Sequence, residues 1–157
     1  MDQQKYNYIK KMTAFISIIF FVSADRLLKS LAVGSYVEKQ VNILGDIFKF
    51  SFMKNYNIAF SLPFSGSLLN YLIAGIILYF IFSFIFLLFK KEYLSALFFF
   101  AIIMGATSNF YDRLYYGYVI DYLELKYFTV FNLADAIIVL GAGGLIVKNF
   151  VIKKQPG

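Results

Sequence analysis

The stretch GATSNFYDRLYYGYVIDYLELKYFTVFNLAD, residues 105–135, decides the fold. It begins inside an apolar run, passes Asn109, Asp112 and Arg113, and turns at Gly117 into Val119-Ile120-Asp121-Tyr122. It closes on Asn132 and Asp135, where a second apolar run starts. Two lipid-compatible helices therefore meet at one rim. Carboxylates and a guanidinium at such a rim are costly unless they are paired or used, which makes the cluster a candidate functional site. Asp121 and Asp135 are the candidate catalytic pair.

Working outward, residues 94–111 and 133–151 are the helices that flank the rim. Gly105, Ser108, Asn109 and Asp112 recur at i, i+3, i+4 and i+7, one small and polar face that belongs inside a bundle because lipid offers it no partner. Gly141, Gly143 and Gly144 would allow a neighbouring helix to approach closely. Residues 68–89 are apolar throughout, about 33 Å of helix at 1.5 Å per residue, with Asn70 and Ser83 as polar interruptions. Lys90-Lys91-Glu92 makes a basic turn between the second and third spans.

The first apolar run, 12–22, follows Lys10-Lys11 and precedes Ser23-Ala24, the layout of a secretory signal peptide. Apolar helical spacing nevertheless continues through Asp25 to Val33, so residues 12–31 read as a first membrane helix. Asp25 and Lys29 stand at i and i+4 and predict a salt bridge at its outer end. The connection 34–63 is too polar to span. Within it Phe48, Phe50 and Phe52 alternate, which predicts a two- or three-stranded sheet with its aromatic face packed on the bundle. The expected fold is an all-α membrane protein of one domain, residues 1–157, with four transmembrane helices and a small extracytoplasmic β-sheet between helices 1 and 2.

Composition agrees. Of 157 residues, 61% are hydrophobic and 15% charged, well outside the range of soluble domains. The formal charge of +6 forms no stripe interleaved with exposed aromatics, so nucleic acid is not an expected partner. The lysines instead flank apolar runs, which places both termini in the cytoplasm and residues 34–65 on the outer face together with the Asp112–Asp135 cluster. With neither cysteine nor histidine, thiol chemistry and histidine-ligated zinc are excluded, and acid–base work falls to Asp, Glu, Lys or Tyr.

Asn132 can cap the last helix with Asp135 at N3, a structural role for both residues. Asp121 could equally stabilise its loop. Yet two aspartates within hydrogen-bond reach share a proton, so that one serves as base toward water while the other polarises a carbonyl, as peptide hydrolysis requires. Asn109, Asn132 and Arg113 could orient substrate carbonyls, or Arg113 could pair with Asp112. A small transporter or channel subunit with Asp112, Arg113, Asp121 and Asp135 as a charged path is the rival reading, and a protease-dead scaffold is a third.

Four blocks together resemble the type II signal peptidases of bacteria. Asp25-Arg26-Leu27-Leu28-Lys29 is similar to the family's D-x-x-x-K, and residues 55–61, Asn-Tyr-Asn-Ile-Ala-Phe-Ser, to its N-x-G-A-A-F-[GS]. Asn109-Phe110-Tyr111-Asp112-Arg113 with Gly117-Tyr118-Val119-Ile120-Asp121-Tyr122 is similar to G-N-x-x-D-R-x-x-x-G-x-V-x-D-F, and Phe131-Asn132-Leu133-Ala134-Asp135 to F-N-x-A-D. The resemblance implies an aspartic dyad of Asp121 and Asp135 and a substrate site lined by Asn55, Asn109, Arg113 and Asn132. Asp25, Lys29, Asp112 and Ala134 would support them. It further implies cleavage of a diacylglyceryl prolipoprotein before its lipidated cysteine, at the outer face of the bacterial inner membrane. The enzyme would need no cofactor, lie in membrane lipid and act as a monomer. Asn57, Ile58, Met104 and Ser108 depart from the family's Gly and Ala, and are expected beside the substrate groove.

Overall fold

In the computed structural model, which describes residues 2–34, 40–56 and 67–153, the first helix α1 (Gln3–Val33) is unbroken across Lys10-Lys11 and across Asp25 to Lys29. Its N-terminus is capped by the Asp2 side chain, which accepts from the Gln4 amide at 3.3 Å. The hydroxyls of Thr13, Ser17 and Ser23 each donate to the carbonyl four residues earlier, so polar residues on an apolar helix leave nothing unpaired toward lipid.

Strands β1 (Val41–Leu44) and β2 (Phe48–Asn55) follow, and then α2 (Ser67–Phe89) and α3 (Tyr93–Tyr116). Strands β3 (Val119–Leu125) and β4 (Val130–Phe131) lead into α4 (Leu133–Lys153). Three described helices, α2, α3 and α4, are long and apolar enough to cross a membrane. The first, with charges at both ends of its apolar centre, is not among them.

The sheet corrects the sequence expectation. It has four antiparallel strands in the order β1-β2-β3-β4, and half of it comes from the connection between α3 and α4 rather than from the one between α1 and α2. The reason lies at the end of α3. Gly117, at φ 79°, takes the left-handed conformation and its N–H bonds the Arg113 carbonyl at 3.1 Å, a cap that turns the chain straight into β3. Val119-Ile120 is apolar on both faces of the strand and is buried on both, so it pairs with β2 as an inner strand.

Pairing of β2 with β3 shifts register between Phe50 and Met53, after which Met53 faces Asp121 and Asn55 faces Val119. Phe50 and Phe52 pack on the cluster of Ala32, Ile120 and Tyr122 with Leu28 and Leu133, which is two thirds of the expected aromatic face; Phe48, opposite Leu125, is not part of that cluster. The sheet is thereby seated on α1 and on the start of α4.

Helices α3 and α4 pack closely through their glycines. A Cβ added at Gly105 would lie 2.6 Å from the Ala134 carbonyl oxygen and 2.8 Å from Ile138, and one at Gly141 would lie 2.8 Å from the Phe98 carbonyl. Gly143, by contrast, faces open space. Backbone cannot yield as a side-chain tip can, so Gly105→Ala should cost about 1–3 kcal/mol. Gly143→Ala should be neutral or should gain up to about 1 kcal/mol from helix propensity. Thermal unfolding in detergent checks this: Gly105→Ala lowers the midpoint and Gly143→Ala does not.

Candidate active site

The site is assembled at the first turn of α4. The N–H groups that begin a helix have no intrahelical partners and need acceptors from elsewhere. Here each one finds an acceptor. The Asn132 N–H donates to Asp135 Oδ2 at 3.2 Å, and the Asp135 N–H returns to Asn132 Oδ1 at 2.9 Å, a reciprocal capping box. Leu133 N–H donates to the Tyr122 hydroxyl at 3.1 Å, and Ala134 N–H to Asp25 Oδ1 at 3.2 Å. The predicted cap is present, and helix α1 and strand β3 complete it.

Asp25 is central to a buried ionic cluster. Its other oxygen lies 3.1 Å from Lys29 Nζ and accepts from Ser108 Oγ at 2.6 Å, while Oδ1 also accepts from the Tyr122 hydroxyl at 2.9 Å. Lys29 pairs in turn with Asp112 at 2.8 Å, and Arg26 reaches the same Asp112 at 2.5 Å. Asp25, Lys29 and Asp112 are all 0% exposed. Two acids thus balance two bases, which is what such burial demands. Asp112 therefore pairs with α1 rather than with Arg113, because consecutive residues of a helix point about 100° apart.

Above this cluster sit the two candidate catalytic acids. Asp121 Oδ1 accepts from Asn132 Nδ2 at 2.7 Å and its Oδ2 from Asn55 Nδ2 at 2.9 Å. Asp135 Oδ1 accepts from Asn109 Nδ2 at 2.7 Å. The Asn132 amide also donates to Asn109 Oδ1 at 3.1 Å, so asparagines bridge the two carboxylates. Arg113 donates to the Tyr56 carbonyl at 3.4 Å and stands close enough for its charge to be felt by both acids.

Burial raises the Asp121 carboxyl to about 6, and the Asp135 carboxylate pushes the same way against the amides of Asn55 and Asn132 and the charge of Lys29. A carboxyl poised near neutrality beside a second acid can hold a proton and return it. Tyr122, buried and next to Asp25, is held well above the usual tyrosine range and acts as a neutral hydroxyl. Among the described residues no three acids gather in a way that could hold a metal ion.

The site residues named from the sequence thus gather in one bonded network, with Arg113 at its edge, donating to the Tyr56 carbonyl and acting on the two acids through its charge. Asn132, expected along the substrate groove, is fully buried and spends its polar atoms on the capping box and on Asp121. Asn57 and Ile58 lie outside the described residues. The remaining departures, Met104 and Ser108, are in the core rather than beside an open groove. Met104 packs with Val22, Ala101 and Ile137, and Ser108 is bonded into the ionic cluster. Sequence patterning assigned no role to Arg26 or Tyr122; the available signal for Tyr122 was a hydroxyl in an otherwise apolar strand beside Asp121.

Known proteins share this architecture. The family model for signal peptidase (SPase) II matches residues 17–151. A lipoprotein signal peptidase of Caldicellulosiruptor bescii is 35% identical over 147 residues, covering 93% of this chain and 94% of its own. One from Francisella tularensis subsp. novicida is 34% identical over 161 residues, covering 92% and 96%. A bacterial membrane enzyme solved by the in meso method at 2.3 Å resolution superposes with a TM-score of 0.77 at 19% identity, covering 92% of this chain and 93% of that one. A second, solved by the same method at 1.9 Å, gives 0.72 at 20% identity, covering 91% and 94%. These matches define a membrane peptidase of the aspartic class. The chain belongs to the signal peptidase II family.

The raised Asp121 carboxyl has a consequence for stability. A group whose folded pKa exceeds its unfolded value contributes fully below the unfolded value, 3.8, and loses that contribution as pH rises through the folded value, about 6. Asparagine does not titrate. The thermal midpoint of the wild type relative to Asp121→Asn should therefore fall from about pH 4 to about pH 6 and level off above; a flat difference would show that Asp121 is not perturbed.

Proposed function

We propose that Asp121 and Asp135 are the catalytic dyad by which this chain removes the signal peptide from diacylglyceryl-modified prolipoproteins, cutting before the lipidated cysteine. The observation that carries the reading is the meeting of two carboxylates through the amides of Asn109 and Asn132, on a chain of this family. One carboxylate takes a proton from water as the water oxygen bonds the scissile carbonyl carbon. The protonated partner gives its proton to the carbonyl oxygen, forming a gem-diol. When the C–N bond breaks, the first acid donates the proton it gained to the leaving nitrogen and the second recovers one from a gem-diol hydroxyl, which restores the starting state.

Asn55 and Arg113 stand beside Asp121 at the mouth and are assigned to the substrate chain, with Asn109 and Asn132 orienting the acids. The proposed topology has α1 as a fourth span, both termini in the cytoplasm of the bacterial inner membrane, and sheet and dyad at the outer face. Lysine density at the Lys90-Lys91 turn and at the chain ends supports it. The enzyme works as a monomer in lipid. A charged transport path is disfavoured because Asp112 is already neutralised by Lys29 and Arg26.

Asp121→Asn and Asp135→Asn keep shape but cannot exchange a proton with water. Each should abolish cleavage of a diacylglyceryl prolipoprotein by purified, membrane-inserted protein, and the double variant should be hardly worse, since groups acting as a unit are not additive. Glu124→Gln, an acid of the same strand, should keep most activity. Normal cleavage by Asp135→Asn would reduce Asp135 to its capping role and end the proposed mechanism.

A further inference from the structure

Asparagine 109 has two ends of nearly identical shape, and which end faces Asp135 decides whether that carboxylate meets a donor or an acceptor. The choice is made by Lys29. Its ammonium can only donate, and it lies 2.7 Å from Asn109 Oδ1. The carbonyl end is therefore held toward α1, and Nδ2 is left facing Asp135 Oδ1 at 2.7 Å. Asn132 Nδ2, also a donor, reinforces the same orientation at 3.1 Å.

The two acids are consequently not equivalent. Each acid receives a donor on each oxygen, but one of the donors to Asp135 is a backbone N–H at the positive end of a helix, whereas Asp121 is served by the side-chain amides of Asn132 and Asn55. Asp121 lies on a strand with no helix dipole behind it. Its Asn132 donor is divided among Asp121 Oδ1, the Ile120 carbonyl at 3.3 Å and Asn109 Oδ1.

We propose that Lys29 is a positioning residue of the reaction: through the Asn109 amide it fixes Asp135 as the ionised acid that takes the proton from water, leaving the initial proton on Asp121. The charged and titratable groups around Lys29 are Asp25 and Arg26 on α1, Asp112 and Arg113 on α3, Asp121 and Tyr122 on β3, and Asp135 on α4. Asp25, Arg26 and Asp112 are committed to one another and to Lys29, so the ammonium is the cation that links the ionic cluster to the dyad.

The proposal rests on the dyad reading, and the test separates the two. Lys29→Gln removes the charge and the obligatory donor; Asp25→Asn/Lys29→Gln does the same while keeping the cluster neutral, as insurance against misfolding. With purified full-length enzyme in detergent and a diacylglyceryl prolipoprotein, both variants should lose at least about tenfold in kcat with KM changed less than about threefold. The acid limb of kcat/KM should move up by about one pH unit in Lys29→Gln, because the ionised acid has lost a nearby cation and a fixed donor, and by less in the double variant, where the opposing Asp25 charge is gone as well. Asp25→Asn alone weakens the cluster but leaves Lys29 on Asn109; it also removes a negative charge felt by Asp135, so it should lower the melting temperature and move the limb down, opposite to Lys29→Gln. A limb unmoved in both Lys29 variants overturns the proposal and leaves the dyad standing. Retained cleavage by Asp121→Asn or Asp135→Asn overturns the dyad itself.

Discussion

Four N–H groups at the start of α4, those of Asn132, Leu133, Ala134 and Asp135, sit where water is scarce, and their acceptors tie three elements together. Asp25 comes from α1, Tyr122 from β3, and Asn132 and Asp135 serve one another. A buried donor left unpaired costs roughly 1–3 kcal/mol, so none of these partners can leave cheaply. The helix that carries Asp135 is thereby fixed to the strand that carries Asp121. Relative placement of the two acids, one on a strand and one on a helix, follows from backbone satisfaction at one helix end.

Asp25 can fill this role only because its charge is balanced. An isolated buried carboxylate would take up a proton or pull water in. Lys29 one turn later balances its charge while Ser108 on α3 and the Tyr122 hydroxyl donate to it, and Lys29 and Arg26 pair with Asp112. The cluster is best understood as a specific joint between α1 and α3 rather than as a source of net stability, since burying ions repays its desolvation cost only when the geometry is good. Close packing at Gly105 holds α4 against α3 from the other side. Joint and packing together leave Asn109 beneath the dyad with its amide direction already chosen.

Much of this was legible in the residues. Apolar runs located α2, α3 and α4 within a few positions, the i, i+3, i+4, i+7 face of α3 turned inward as its polarity requires, and the Asn132–Asp135 spacing marked the capping box. Local spacing could not reveal pairings across the fold. Asp25 and Lys29 read as a simple helix-end salt bridge because nothing nearby in sequence shows that Asp112 and Ala134 reach them. Strand β3 was half visible as an extended Val119-Ile120, but its partner is the distant strand β2, where Met53 faces Asp121 and Asn55 faces Val119. Helix α1, by contrast, carries charges where a span is expected to be clean, because those charges face protein and not lipid.

In the proposed mechanism the dyad acts on water directly. Single-turnover cleavage of a diacylglyceryl prolipoprotein in water enriched in heavy oxygen, read by mass spectrometry of both peptide and enzyme, tests that claim most directly. One heavy oxygen should appear in the new terminal carboxylate of the released signal peptide, and none in the enzyme. Heavy oxygen in the carboxylate of Asp121 or Asp135 after one turnover would mean that an aspartate had attacked the carbonyl itself, and would contradict the account.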